Sequence, residues 1–329
     1  MHGRLVGIIA GANFAVMVAG AMPALALDKP DGFPDRTLTI LTPFSIGGGG
    51  DSLARAMAQA LEPIMEVSVR VVNQPGAGGV AGTSEFMTMP ADGYTILQQS
   101  ESLLTAITGG RIDVAWEDFT PICLVQVAYS QIYMATDQTK FSDWPSFVEY
   151  AEANGAIMAN DSGIGSMEHV ASVALAQGAG IEIEQVNTAQ FSERTSYLLG
   201  GTVDIMFEQP GPVAGFLESG LMQPILTLLQ ERAAEFPDVP SFADVGLDDI
   251  QPLLRTRGLF VKRDVPEERK RYLEAACRAA YDSEGFQEFN KAAAVAAESF
   301  YGSDEAAELF AQMAEVYLDW YERLGITGE

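Results

Sequence analysis

From Arg36 to Met89 the chain reads "RTLTILTPFSIGGGGDSLARAMAQALEPIMEVSVRVVNQPGAGGVAGTSEFMTM". The apolar run from Arg36 to Phe44 predicts a buried strand. "DSLARAMAQALEPIM" predicts the helix after it, with Asp51 or Ser52 as N-cap. "VSVRVVNQP" and "GGVAGTSEFMTM" repeat the step, and "GYTILQQS" followed by "ESLLTAI" repeats it again. Strand–helix alternation of this kind predicts an α/β fold whose parallel sheet carries helices on its faces.

The alternation continues downstream. "SDWPSFVEYAEA" predicts a helix, "AIMAND" a strand, and "GSMEHVASVALAQGAG" a helix capped by Ser166. "IEIEQVN", "VDIMFEQ" and "MQPILTLL" read as strands separated by the helices "SERTSYLLGG" and "PVAGFLESG". From "RGLFVKRDVP" onward one strand precedes three helices, which are expected to return to the first unit. The chain is thus expected to form two α/β units: 27–127 with 229–329, and 128–228. The crossings near Leu124–Tyr129 and Pro224–Leu229 would serve as hinges.

Residues 1–26 carry one cation, Arg4, then an apolar stretch and the small-residue site Ala24-Leu25-Ala26. This pattern predicts a signal peptide over residues 1–26 and an exported protein. Forty-five acids against nineteen bases give a net charge of −26. That balance argues against nucleic acid, whose phosphates need basic surface. Cys123 and Cys277 lie far apart in apolar contexts, which favours two separately buried thiols over a bridge. Two cysteines and two histidines without ligand spacing exclude a zinc site, and no cofactor is expected.

The glycine-rich turns carry the chemistry. Asp51 and Ser52 stand where a phosphate loop needs Lys and Ser/Thr, and "TILQQS" lacks the acid that a dinucleotide fold sets at its strand end. What such turns do offer is several N–H groups aimed at one spot, next to a helix N-terminus. Four places qualify: Ser45–Gly50, Pro75–Gly79, Ser100–Ser102 and Ser162–Ser166. In an open parallel sheet they fall outside the carboxyl ends of the strands, where ligands bind. An anion would then be held without a cationic side chain. Phe44, at a strand end before the first glycine loop, is placed to pack on that ligand. Catalysis is not expected, because His169 has no nucleophile elbow near it.

"TPFSIGGGGDSLAR", "VNQPGAGGVAGTSEFMTMPADGYTIL", "WEDFTPI", "LLGGTVDIMFEQP" and "FPDVPSFADVGL" follow one another in order. Together they resemble the extracytoplasmic solute receptors of tripartite tricarboxylate transporters, the Bug or TctC-like family. The resemblance implies a two-lobed periplasmic binding protein of the Venus-flytrap, type II-like kind, each lobe a sheet flanked by helices. It further implies a small carboxylate held by backbone amides and hydroxyls, membrane permease subunits as partners, and a monomer. The ligand-binding residues expected on that basis are Phe44, Ser45, Gly47, Gly48, Asp51, Ala77, Gly78, Ser100, Ser102, Ser162, Gly165, Ser166, Thr188 and Glu208. Gly47 and Gly48 match the family's paired glycines, and Asp51 its helix-starting acid.

Several positions depart from that pattern. Ser45 and Ile46 replace the usual prolines, and "QVNTAQFSER" replaces a "VPYKGG"-like segment. Glu208 stands where many members carry Asp, and Glu101 lies beside the third strand end. An acid in the cleft would suit an amino group on the ligand and disfavour a second carboxylate. The alternatives are a sensor signalling to a membrane partner, or a hydrolase using Ser166 and His169.

Overall fold

The computed structural model describes residues 28–160, 165–188, 190–293, 295 and 299–325. The leader expected over residues 1–26 and the candidate Ser162 lie outside the described residues. β1 (Leu38–Thr42) leads through the glycine run to α1 (Gly49–Met65), β2 (Val69–Asn73), α2 (Val80–Thr88), β3 (Thr95–Ser100), α3 (Ser102–Thr108) and β4 (Phe119–Ala128). Next come β5 (Gln131–Ala135), α4 (Trp144–Asn154), β6 (Ala156–Asn160), α5 (Met167–Ala179) and β7 (Ile183–Asn187). They are followed by α6 (Phe191–Leu199), β8 (Ile205–Glu208), α7 (Pro210–Glu218) and β9 (Met222–Thr227). The last described elements are β10 (Arg255–Lys262), α8 (Glu267–Tyr281), α9 (Glu284–Ala292) and α10 (Ser303–Leu324).

These strands form two five-stranded sheets of matching design. The first runs β2-β1-β3-β10-β4 and the second β7-β6-β8-β5-β9. In each, three strands are parallel: β1 with β2 and β3, and β6 with β7 and β8. A single antiparallel strand, β10 or β5, then pairs with the sheet's edge strand. The chain passes from the first sheet to the second through Tyr129 and Ser130. It returns after β9, so β10 completes the first sheet from far along the sequence.

Local chemistry explains the helix starts. Asp143 accepts the Ser146 N–H at 3.0 Å to open α4, and Ser166 accepts the His169 N–H at 3.1 Å to open α5. The expected cap of α1 is corrected: Gly48 holds that position, not Asp51 or Ser52. The Asp51 carboxylate turns back to accept the Gly47 N–H, and the glycines themselves supply the first helical residues. Along α1, Leu53, Ala54, Met57, Leu61 and Met65 recur at helical spacing and are buried against the sheet and α8.

The C-terminal helices do return to the first sheet. Phe310 of α10 stacks on Trp116 with ring centroids 4.9 Å apart, and Tyr317 lies fully buried in the same core. α8 packs on α1 and β4. That contact overturns the expectation of separate thiols, because Cys123 on β4 and Cys277 on α8 form a disulfide with Cα atoms 6.6 Å apart. The two residues are 154 positions apart in sequence, and only the packing of helix on strand brings their Cβ atoms together. Replacing both by alanine is expected to lower the unfolding free energy by about 2–5 kcal/mol, read from urea denaturation. An unchanged midpoint would mean that the bridge carries none of the stability.

Candidate functional site

Strand direction assembles one edge from each sheet. Thr42 is opposite Asn73 across β1 and β2, so the loops leaving these strands emerge side by side, next to the end of β3 at Ser100. Because β10 runs the other way, its first residues join the same edge, with Arg257 opposite both Ser100 and Gln126. In the second sheet Asn160 and Asn187 are opposite one another, and Glu208 is opposite the first residue of β5.

In the first glycine loop, Asp51 acts as a bolt. Its carboxylate, 2 % exposed, accepts from the Gly47 N–H at 2.9 Å, Arg55 Nε at 3.0 Å and Asn73 Nδ2 at 2.8 Å. Asn73 Nδ2 also donates to the Phe44 carbonyl at 3.1 Å, joining the ends of β1 and β2. Burial alone would raise the Asp51 pKa, but the donors Arg55, Gly47 and Asn73 and the Arg55 charge outweigh it and hold the carboxyl below its usual range. Asp51 therefore supports the loop and does not offer its oxygens to a ligand.

The glycines here divide two tasks. Gly47 has φ +81°, a conformation that side chains disfavour. Gly49 and Gly50 make room: a Cβ at 50 would lie 2.5 Å from the Phe44 ring, and one at 49 would lie 3.1 Å from Arg257 Nη2. Ser45, Gly47 and Gly48 are exposed at the lip, with Phe44 half-buried behind them. In the second loop Ala77 and Gly78 both take positive φ, 50° and 65°, so the turn leaves them exposed at the same edge. Ser100 and Ser102 meet through their hydroxyls at 2.9 Å, and Ser102 Oγ donates to Gln99 Oε1 at 3.0 Å.

The second sheet's candidates are engaged locally. Ser166 is the cap of α5, and the Gly165 N–H donates to His169 Nδ1 at 3.1 Å. Burial lowers the His169 pKa, and its Nδ1 serves as an acceptor for this backbone donor. The Ser166 hydroxyl and the His169 ring therefore do not form a nucleophile–base pair. Thr188 gives its hydroxyl to Glu193, and its carbonyl accepts from Arg194 Nη1 at 2.9 Å.

The two acids expected to select an amine are neutralised instead. Glu208 accepts from Arg194 Nη2 at 2.6 Å, with both side chains buried. Glu101 accepts from Arg255 Nη1 at 2.7 Å and from the Thr256 N–H at 2.8 Å. The other Arg255 Nη pairs with Glu168, at the start of α5, so one guanidinium joins the edges of the two sheets. Tyr321 of α10 donates to the Gly165 carbonyl beside this junction. Burial, then Glu101 and Glu168, push the Tyr317 phenol up, so it stays neutral there.

Between the two edges lies a cavity of about 470 Å³. Gly47, Gly49 and Ser52 form one wall and Gln209, Gly211 and Pro212, after β8, another. Gln126 and Arg257 stand between them, with Phe289 and Val295 closing the apolar side. Of the expected residues, only Gly47 lines this space. The expectation of a site without a cation is corrected by Arg257, since β10 brings it to the edge from a distant part of the chain. "LLRTRGLFV" did hold a signal, two arginines at period-two spacing at the start of a strand. Among the described residues no group of His, Cys, Asp and Glu is placed to hold a metal, and no helix is long and apolar enough to cross a membrane.

Residues 53–315 match the family model described as tripartite tricarboxylate transporter family receptor. A UPF0065 protein from the tcbD-tcbE intergenic region of a Pseudomonas species is 28% identical over 240 residues, covering 72% of this chain and 71% of that protein. The fold is similar to a TctC solute binding protein from Polaromonas, with TM-score 0.76, 22% identity, and coverage of 88% of this chain and 99% of that one. It is also similar to MatC from Rhodopseudomonas palustris with bound malate, with TM-score 0.71, 23% identity, and coverage of 88% and 99%.

Two outcomes follow from the ion pairs. Arg255→Met leaves two buried carboxylates without their counter-ion and is expected to cost about 3–5 kcal/mol in urea denaturation. A loss under 1 kcal/mol would place the junction in solvent. Asp51, with its lowered pKa, contributes stability above the ordinary carboxyl value of about 3.9 that is lost as pH falls through its folded value. Asp51→Asn is therefore expected to flatten the acid limb of a stability–pH profile; an unchanged limb would contradict the bolt.

Proposed function

This chain belongs to the tripartite tricarboxylate transporter receptor family, and on that premise we propose that it is a periplasmic binding protein that captures a small carboxylate for uptake. The observation that carries this reading is the cavity between the carboxyl edges of the two sheets, walled by an N–H-rich glycine loop and Arg257. N–H groups at strand ends and a guanidinium both answer a carboxylate, whereas a free acid there would repel one. Glu101 and Glu208 raise no such barrier, since Arg255 and Arg194 already neutralise them.

In this reading residues 27–127 with 229–329 form one lobe and residues 128–228 the other, moving about the Tyr129–Ser130 crossing and the return after β9. Phe44, Ser45, Gly47, Gly48, Ala77, Gly78, Ser100 and Ser102 present the first lobe's contacts. Gly165, Ser166 and Thr188 lie on the second lobe's facing edge. Ligand binding favours closure only through contacts that the closed form alone makes, which two facing edges supply. Residues 1–26 act as a cleavable leader, the permease subunits of the transporter receive the loaded protein, and it works as a monomer without catalysis. The occupied Ser166 hydroxyl and His169 Nδ1 support receptor over hydrolase.

A thermal-shift panel of malate and other di- and tricarboxylates, aromatic acids, amino acids and uncharged amides tests the reading. At a hundredfold excess over Kd, binding is expected to stabilise the fold by about 2.7 kcal/mol, a clear rise in Tm. Compaction in small-angle scattering should accompany it. Stabilisation by uncharged amides alone would overturn the carboxylate assignment.

A further inference from the structure

The interlobe cavity is not uniform in its chemistry. Its charged and N–H-rich part lies at one end, where Gly47, Gly49 and Ser52 surround the start of α1 and Arg257 lies beside them. A Cβ on Gly49 would sit 3.1 Å from Arg257 Nη2, so the guanidinium and the first-turn N–H groups of α1 meet at one spot. Arg257 is engaged there, its Nη1 donating to Gln126 Oε1 at 3.0 Å, and it makes no second anchor elsewhere in the cavity. The start of α7 on the other lobe offers little to an anion, because Pro210 and Pro212 bring no N–H to it.

The opposite chemistry stands beside that spot. Gln126, 3 % exposed, donates through Nε2 to Asn290 Oδ1 at 3.1 Å, which seats the last turns of α9 next to the polar end. From there Phe289, Ala292, Ala293 and Val295 face the cavity, and Pro212 joins them from the second lobe. No side chain among these five carries a hydrogen-bonding atom. α9 closes at Ala292 with Ala293 as its C-cap, so the helix presents its carbonyl end, the negative pole of its dipole, on this side. Lys291 is exposed and does not line the cavity. A carboxylate set against this wall would give up its water and receive no donor in exchange, whereas a hydrocarbon group would lose nothing.

We propose that this wall selects a ligand with a single carboxylate and an apolar body, and that Phe289 is its specificity-determining residue. This rests on the carboxylate reading above and adds to it the number of anionic groups and the character of the rest of the ligand. The carboxylate lies at the start of α1, and the carbon chain or ring runs along the end of α9 toward Pro212. Burial of each further methylene on the wall is worth about fourfold in affinity.

Calorimetric titration with probes of equal length tests this: butyrate, pentanoate and hexanoate against succinate, glutarate and adipate. Affinity is expected to rise about fourfold per methylene along the monocarboxylates, and hexanoate to bind more tightly than adipate. Phe289→Ser should flatten that rise. Ala292→Lys, which adds an ammonium to the wall from an exposed position, should turn the preference toward adipate. Thermal melts of both variants check folding, and should Phe289→Ser fail to fold, Ala292→Lys decides. Variants that keep the wild-type ranking would overturn the assignment. So would a wild type that prefers the dicarboxylates, and that result would leave the carboxylate reading standing. A wild type that binds neither series would remove both.

Discussion

A largely buried guanidinium set between two carboxylates, one beside each sheet, ties the facing edges of the two halves of this chain together in the observed arrangement. Arg255 begins β10, Glu101 follows β3 and Glu168 begins α5, and both acids are 2 % exposed. Charges so placed are tolerated only when each finds its partner, so the junction favours the arrangement of the edges seen in this structure. The Thr256 N–H on Glu101 and Tyr321 on the Gly165 carbonyl tie backbone to the same junction. The interlobe cavity, and the residues that can line it, follow from that arrangement.

The same rule governs the other acids near the cleft. Asp51 is answered by Arg55 and Asn73, and Glu208 by Arg194. A chain with 45 acids would otherwise surround its binding edge with negative potential. Pairing each of these inner carboxylates with an arginine cancels the field locally. Arg257 stands at the cavity, beside Gln126. The potential at the binding edge is therefore a matter of where the nineteen bases stand, not of how many there are.

The fold was legible because its signals are local. Alternating apolar runs and glycine turns marked the strand and helix positions, and Ser166 was recognisable as a cap from its place before an apolar run. The motifs from "TPFSIGGGGDSLAR" to "FPDVPSFADVGL" carried the family resemblance, which the match over residues 53–315 bears out. The start of α1 departs from the expectation because Asp51 has the sequence context of a cap, while its carboxylate reaches back to Gly47 and across to Asn73.

The sequence by itself determined the α/β alternation, the family and the glycine-rich strand ends, since each depends on neighbours within a few residues. Tertiary structure alone decided that Cys123 meets Cys277, that Glu101 and Glu208 are spent on arginines, and that Arg257 lines the cavity. Glu208 meets Arg194 through the packing of α6 on β8, whereas the bridge, the Glu101 pair and the place of Arg257 depend on β10 entering the first sheet between β3 and β4 after a long excursion through the second. Cys123 and Cys277, and Glu101 and Arg255, each 154 residues apart, leave no periodicity in the sequence, because it is the pairing of strands and not their spacing that sets them side by side.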